Sequence, residues 1–202
     1  MNGAFLHATP KHLECAKLCK TVYTKKSDIL IRYNKRDDDV ILAIEGTDTL
    51  VNWYDNLSVC KRYDDVHTGF RKYATYCKQR YRLRMVLQKY KDKKIYICGH
   101  SLGSAAAALL ASDFSQDYDI ELVMFGSPKI GGDVFRDAFA SKSIPTFDYK
   151  TKHDVVTKLP FDALGYMRLT DEVIELSPDY RPYQILNNHD IDTYIAEIEK
   201  RL

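Results

Sequence analysis

Residues 95–110, Ile95-Tyr96-Ile97-Cys98-Gly99-His100-Ser101-Leu102-Gly103-Ser104-Ala105-Ala106-Ala107-Ala108-Leu109-Leu110, decide how this chain folds. An apolar run leads into a serine flanked, two positions away on each side, by glycine. A run of small residues follows. Strand, sharp turn and helix in that order form a nucleophile elbow, where a strained turn raises the serine hydroxyl above the sheet. The residues two before and two after the serine nearly collide, so both must be small, as Gly99 and Gly103 are. The following helix points its N-terminal amides and positive dipole end at any oxyanion formed nearby. The plainer alternative is a serine in a Gly-flanked loop or at a helix N-cap.

Outward from this stretch the pattern alternates. Periodicity predicts a helix over 10–23, with Leu13, Ala16, Leu18 and Cys19 apolar. Strands over 29–33 and 40–44 flank the turn-like Asn34-Lys35-Arg36-Asp37-Asp38. Residues 50–57 read as a short amphipathic turn or helix. A long helix is expected from Phe70 to about Lys91, with Phe70, Ala74, Cys77, Tyr81 and Met85 on one face. Then come strand 94–98, helix 101–113, strand 120–125, helix 132–140 and strand 145–150. A loop through Pro160, a short strand over 173–176 and a final helix from about His189 to Lys200 complete the chain. Such alternation argues for an α/β fold with a mostly parallel sheet. Chemistry gathers at the carboxyl ends of strands in such sheets, and Ser101, Asp154 and His189 follow or lie near predicted strand ends.

Composition sets the bounds. A chain of 202 residues with no repeat or linker reads as one domain, 1–202, able to bury a substantial core. A net charge of +2 gives no bias toward polyanions, so no nucleic-acid partner is expected; 45% hydrophobic and 29% charged residues fit a soluble globule. The 15 tyrosines suit amphipathic packing at the core boundary. Met1 to His7 carry no apolar core of a signal peptide, and no stretch approaches membrane-spanning length. Five cysteines make an odd count; Cys15 and Cys19 lie one helical turn apart and Cys98 sits in the strand before the elbow. Reduced, buried thiols and a cytoplasmic or otherwise intracellular location are expected. No Cys-x-x-Cys or His-x-x-x-His spacing occurs, so no zinc site is expected.

A serine hydroxyl needs a base to take its proton, and the base needs an acid to fix its tautomer. Six histidines are candidates. His7 and His12 belong to the N-terminal segment. His67 precedes a helix start, which suits a cap. His100 is inside the elbow and faces away from its neighbour's hydroxyl. His153 adjoins Asp154 and competes with His189, which lies in Asn187-Asn188-His189-Asp190 before the last helix. The order Ser101, Asp154, His189 matches the Ser, Asp, His order of α/β-hydrolases.

Six blocks in order resemble the class 3, fungal-type lipases of the α/β-hydrolase superfamily, from about Val40 to His189. They are Ile44-Glu45-Gly46-Thr47, Asn52-Trp53-Tyr54-Asp55-Asn56-Leu57, Val66-His67-Thr68-Gly69-Phe70, Gly99 to Gly103, Phe125-Gly126-Ser127-Pro128-Lys129-Ile130-Gly131, and Asp154-Val155-Val156-Thr157-Lys158-Leu159-Pro160. The resemblance implies Ser101 as nucleophile, Asp154 as acid and His189 as base. It implies an oxyanion hole from the backbone N–H groups of Thr47 and Leu102, with the Thr47 hydroxyl as a third donor. It implies no metal and no cofactor, and a compact fold with a short lid between about Asp48 and Val59. Leu50, Val51, Trp53, Tyr54 and Leu57 are then an apolar flap over an acyl groove, or ordinary core. Ser104 replaces a usual glycine, which its size allows. Glu45 replaces a usual arginine, either as a solvated acid or as a charge disfavouring anionic substrates.

The implied activity is a lipase or carboxylesterase of lipid degradation, cleaving acylglycerols or related esters through an acyl-serine intermediate. An acyltransferase using the same triad and a non-catalytic binding scaffold are the alternatives. The stretch from Arg71 to Lys94 carries ten cations: Arg71, Lys72, Lys78, Arg80, Arg82, Arg84, Lys89, Lys91, Lys93 and Lys94. A solvated face is the first reading, and transient attraction to an anionic membrane or lipid surface the second.

Overall fold

The structure, a computed structural model, describes residues 7–46, 62–178 and 188–202. Helix α1 spans Pro10–Lys25. Its start is set by Thr9, whose hydroxyl oxygen accepts the His12 N–H, and by Pro10 in the first turn; Lys26 in the left-handed region ends it. The strands are β1 (Ile29–Asn34), β2 (Asp39–Ile44), β3 (Arg62–Tyr63), β4 (Val66–His67), β5 (Lys94–His100), β6 (Ile120–Phe125), β7 (Thr146–Thr151) and β8 (Val173–Leu176). The remaining helices are α2 (Thr68–Arg80), α3 (Leu83–Leu87), α4 (Leu102–Phe114), α5 (Asp133–Ala140) and α6 (Ile191–Glu199).

Six strands make one sheet in the order β1-β2-β5-β6-β7-β8. Only β1 runs antiparallel, against β2; the other pairings are parallel. The expected α/β architecture is therefore present, with the strands extended by a residue or two.

Side chains alternate across the sheet, as the pleat requires. Val40, Leu42 and Ile44 of β2, Ile95 and Ile97 of β5, and Leu122 and Met124 of β6 pack on one face with α2 and α4. Ile41, Ala43, Cys98, Val123 and Phe125 pack on the other with α1 and α6. Cys15, Cys19, Cys77 and Cys98 are buried free thiols, and the Cys19 and Cys98 sulfurs lie 3.7 Å apart. Helix α4 is buried over most of its surface: Ala105, Ala106, Ala107 and Ala108 are all buried, which lets it sit close beneath the elbow.

One expectation needs correction, and one element was not expected. The long helix from Phe70 to Lys91 is broken. Tyr81 closes α2, Arg82 takes a left-handed conformation (φ 48° being Lys26's value, φ 47° its own), and α3 and a 3-10 turn at Gln88–Tyr90 follow. The break lets Leu83 and Leu87 enter the core, whereas Met85, expected on the buried face, is 65% exposed. The element not expected is the β3–β4 hairpin. Asp64 and Asp65 both hold positive φ, 48° and 60°, which gives a two-residue turn of the mirror-image type. The segment expected at 50–57 lies outside the described residues.

Candidate active site

Ser101 sits between β5 and α4 with φ 58° and ψ −128°, a strained conformation for a residue with a side chain. Its N–H donates to the Phe125 carbonyl at 3.0 Å, tying the elbow to the end of β6. A Cβ on Gly99 would lie 2.2 Å from the Gly103 oxygen, and one on Gly103 would lie 2.3 Å from the Ile44 oxygen. The near-collision inferred from sequence is thus physical, and it involves backbone that cannot swing aside. Ser104, in the place of a usual glycine, donates its hydroxyl to the Ser101 carbonyl at 2.5 Å. Leu102 opens α4, so its N–H is among the amides that have no partner within the helix.

The acid and base come from the ends of later strands. Asp154 follows β7 and is wholly buried. Its Oδ1 accepts the Val156 N–H at 2.9 Å. Its Oδ2 accepts His189 Nδ1–H at 2.7 Å and the Tyr194 hydroxyl at 2.6 Å. A carboxylate accepts but does not donate, so Nδ1 of His189 carries the proton and Nε2 presents its lone pair. His189 Nε2 and Ser101 Oγ are both buried with no hydrogen-bond partner among the described residues. The two atoms are not bonded to each other in this structure; a lone pair and a hydroxyl, each without a partner, are the acceptor and donor that a proton transfer would use.

Gly126 is where the parts converge. It follows Phe125 at φ +58°, and a Cβ there would lie 2.9 Å from Asp154 Oδ2, 3.0 Å from the Tyr194 oxygen and 3.1 Å from His189 Cε1. Phe125, its neighbour, accepts the Ser101 N–H. The missing side chain leaves the volume that acid and base occupy. Tyr194, on α6, was not singled out by the sequence reading; a tyrosine one turn into an amphipathic helix carries no local signal. Burial, then the adjacent Asp154 carboxylate, hold its phenol well above the ordinary range, so it stays a donor.

The other histidines are accounted for. His67 caps α2, its Nδ1 accepting the Gly69 N–H at 3.1 Å, and burial lowers its pKa. His12 is buried between Tyr149 and Glu121, at 2.7 and 3.0 Å. His100 points away from Ser101, as expected, toward Tyr23 and the His189 carbonyl. His153 is half-buried, and the Asp154 oxygens are engaged by His189, Tyr194 and Val156. Thr47 and the flap residues Leu50, Val51, Trp53, Tyr54 and Leu57 lie outside the described residues. Glu45, just before Thr47, is held through its backbone: its N–H donates to Asp28 O at 2.9 Å and its carbonyl accepts the Tyr73 hydroxyl at 3.1 Å.

In the basic stretch, Lys78 pairs with Asp113, Arg84 with Asp117, Lys93 with Asp38 and Lys94 with Asp119. Among the described residues, no cluster of three or more His, Cys, Asp or Glu side chains is suited to hold a metal.

Comparison with known proteins bears on the same residues. Residues 41–164 match the family model described as Lipase (class 3). The chain is 35% identical over 94 residues to phospholipase A1-IIdelta of Arabidopsis thaliana, covering 43% of this chain and 23% of that one. It is 27% identical over 186 residues to a lipase of Rhizomucor miehei, covering 82% and 51%. The chain spans about half or less of the length of these curated relatives. Among solved structures, the native Rhizomucor miehei lipase propeptide complex superposes with a TM-score of 0.67 at 22% identity, over 82% of this chain and 65% of that one. The mono- and diacylglycerol lipase from Aspergillus oryzae gives 0.62 at 21%, over 75% and 58%. At these identities the structures share the fold.

Proposed function

Because the chain belongs to the class 3 lipase family, we propose that it is a serine ester hydrolase acting on lipid esters. Ser101 attacks the ester carbonyl as His189 Nε2 takes its proton. Asp154 holds the imidazole in the required tautomer and stabilises the imidazolium that forms. The Leu102 N–H, at the N-terminus of α4, and Thr47 stabilise the tetrahedral oxyanion. His189 then protonates the leaving alcohol, an acyl-Ser101 intermediate remains, and water activated by His189 releases the acid. No step calls for a metal or cofactor.

One observation carries this reading. His189 is oriented by a 2.7 Å bond to a buried carboxylate, while its other nitrogen and the Ser101 hydroxyl are left buried and unsatisfied. Relatives named as mono- and diacylglycerol lipase and phospholipase A1 support acylglycerols and phospholipids as the substrate class. Ion pairs of Lys78, Arg84, Lys93 and Lys94 support a solvated face at these four of the ten cations. The buried thiols support an intracellular location.

The test is Ser101→Ala beside a fluorophosphonate probe. Wild type should label once, at Ser101. The variant should fold, fail to label and lose on the order of a millionfold in turnover. Ester hydrolysis at the wild-type rate in the variant would overturn the assignment. A series of acyl chain lengths then tests the lipid class: a rate confined to acetyl esters would exclude it.

A further inference from the structure

The mechanism leaves one buried imidazole of the elbow without a role. His100 Nε2 lies 2.6 Å from the backbone oxygen of His189, and His100 Nδ1 lies 2.9 Å from the Tyr23 hydroxyl. A carbonyl only accepts, so Nε2 carries the ring proton and Nδ1 must accept from the Tyr23 O–H. The bond directions fix the tautomer. From these contacts we infer that His100 is a positioning residue for the base, locking the His189 backbone to the elbow through a Tyr23–His100–His189 chain of hydrogen bonds. The inference rests on the serine-hydrolase reading and deepens it.

Neighbouring residues 100 and 101 then address one histidine from two sides. Ser101 serves its ring, and His100 holds its main chain. The rings of His100 and His189 lie 4.6 Å apart, tilted by 34°. On its other side the chain reaches the oxyanion loop: a Cβ on Gly46 would lie 2.0 Å from the Tyr23 oxygen and 2.6 Å from the His100 carbonyl oxygen. Tyr23, Gly46, the elbow and His189 therefore pack as one unit. Burial, then the adjacent His189, hold the His100 pKa well below the ordinary 6.5, so His100 stays neutral when His189 takes the serine proton. A second imidazolium at that separation would oppose the transfer. Nearby groups that fix its surroundings are Tyr194, whose ring lies 5.9 Å away, and Tyr23 at 5.8 Å.

The experiment compares wild type with H100F, H100Q and Y23F for ester hydrolysis and phosphonate labelling, and wild type with Y23F for the nitrogen-15 spectrum of His100. H100F keeps a flat ring and removes both bonds; kcat should fall on the order of a hundredfold, with KM unchanged. H100Q restores an N–H donor to the carbonyl and should recover to within about tenfold of wild type. Y23F should lower kcat by about threefold and shift the Nδ1 nitrogen-15 resonance as that atom loses its donor, with Nε2 still protonated. Equal losses in H100F and H100Q would reduce His100 to a packing element and overturn the proposal, as would wild-type kcat in H100F. Should H100F fail to fold, an unchanged kcat together with an unchanged Nδ1 resonance in Y23F overturns it instead. Hydrolysis surviving in Ser101→Ala would sink the hydrolase reading alone, so the two failures are distinguishable.

Discussion

The two halves of the site are built by different means. The nucleophile half is built by backbone contact: β5, two glycines and α4 lie within residues 94–114, and the Ile44 and Phe125 carbonyls close on them from β2 and β6. The base half is assembled from distant pieces. His189 is held by Asp154, 35 residues earlier, and by His100, 89 residues earlier; Thr151 bonds the Asn188 carbonyl at 2.6 Å, and Asp190 caps α6. A nucleophile set by steric contact tolerates no added atom. A base set by hydrogen bonds is adjusted one bond at a time.

The sharpest way to break this contrast is Gly99→Val. Its Cβ would meet the Gly103 carbonyl and the Ser104 nitrogen at 2.2 and 2.6 Å, all backbone. We expect a loss of about 4 kcal/mol or more in urea unfolding, or no folded protein. A stable variant would show that the elbow is not sterically set. Gly126→Ala tests the other half, since its Cβ would meet side chains rather than backbone. It should fold and lose on the order of a hundredfold in kcat as Asp154, Tyr194 and His189 are pushed apart. Tyr194→Phe removes one of three bonds to the Asp154 carboxylate; about a tenfold fall in kcat is expected, with phosphonate still labelling Ser101.

The smallest effect is on stability with pH. Burial depresses the pKa of His100 and His67 below the ordinary 6.5. Below that value the unfolded chain binds protons that the native state does not, so stability falls as pH falls. Burial raises Asp148 despite its Arg168 partner, which acts in the opposite direction at lower pH. The melting temperature should therefore drop between about pH 7.5 and pH 5.5, and H100Q should drop less than Ser101→Ala. Equal slopes would show that His100 does not titrate with unfolding.

The same contrast explains what the sequence could reveal. Short-range features were legible. The strand, glycines and alanine run around Ser101 specify their structure within a few residues, and the helix bounds of α1 follow from Thr9 and Pro10. The acid and base were placed by order and by resemblance to a family, and the Asp154–His189 bond is present. Tyr194 was not legible, because its partner lies 40 residues away and nothing nearby marks it. The break at Arg82 was also hidden. No Gly or Pro announces it; it is imposed by the burial of Leu83 and Leu87. By contrast, the Asp64-Asp65 pair between Tyr63 and Val66 was a readable hairpin turn that periodicity alone passed over.

The thiols behind the elbow have a practical consequence. Cys15, Cys19 and Cys98 are wholly sealed between α1 and β5, and burial raises the pKa of Cys15 and Cys98. They react with an alkylating agent only when that layer opens. Cys77, beneath α2, is sealed on the opposite face of the sheet. The molecule thus carries its own clocks, and site-resolved alkylation would time the opening of its two faces separately.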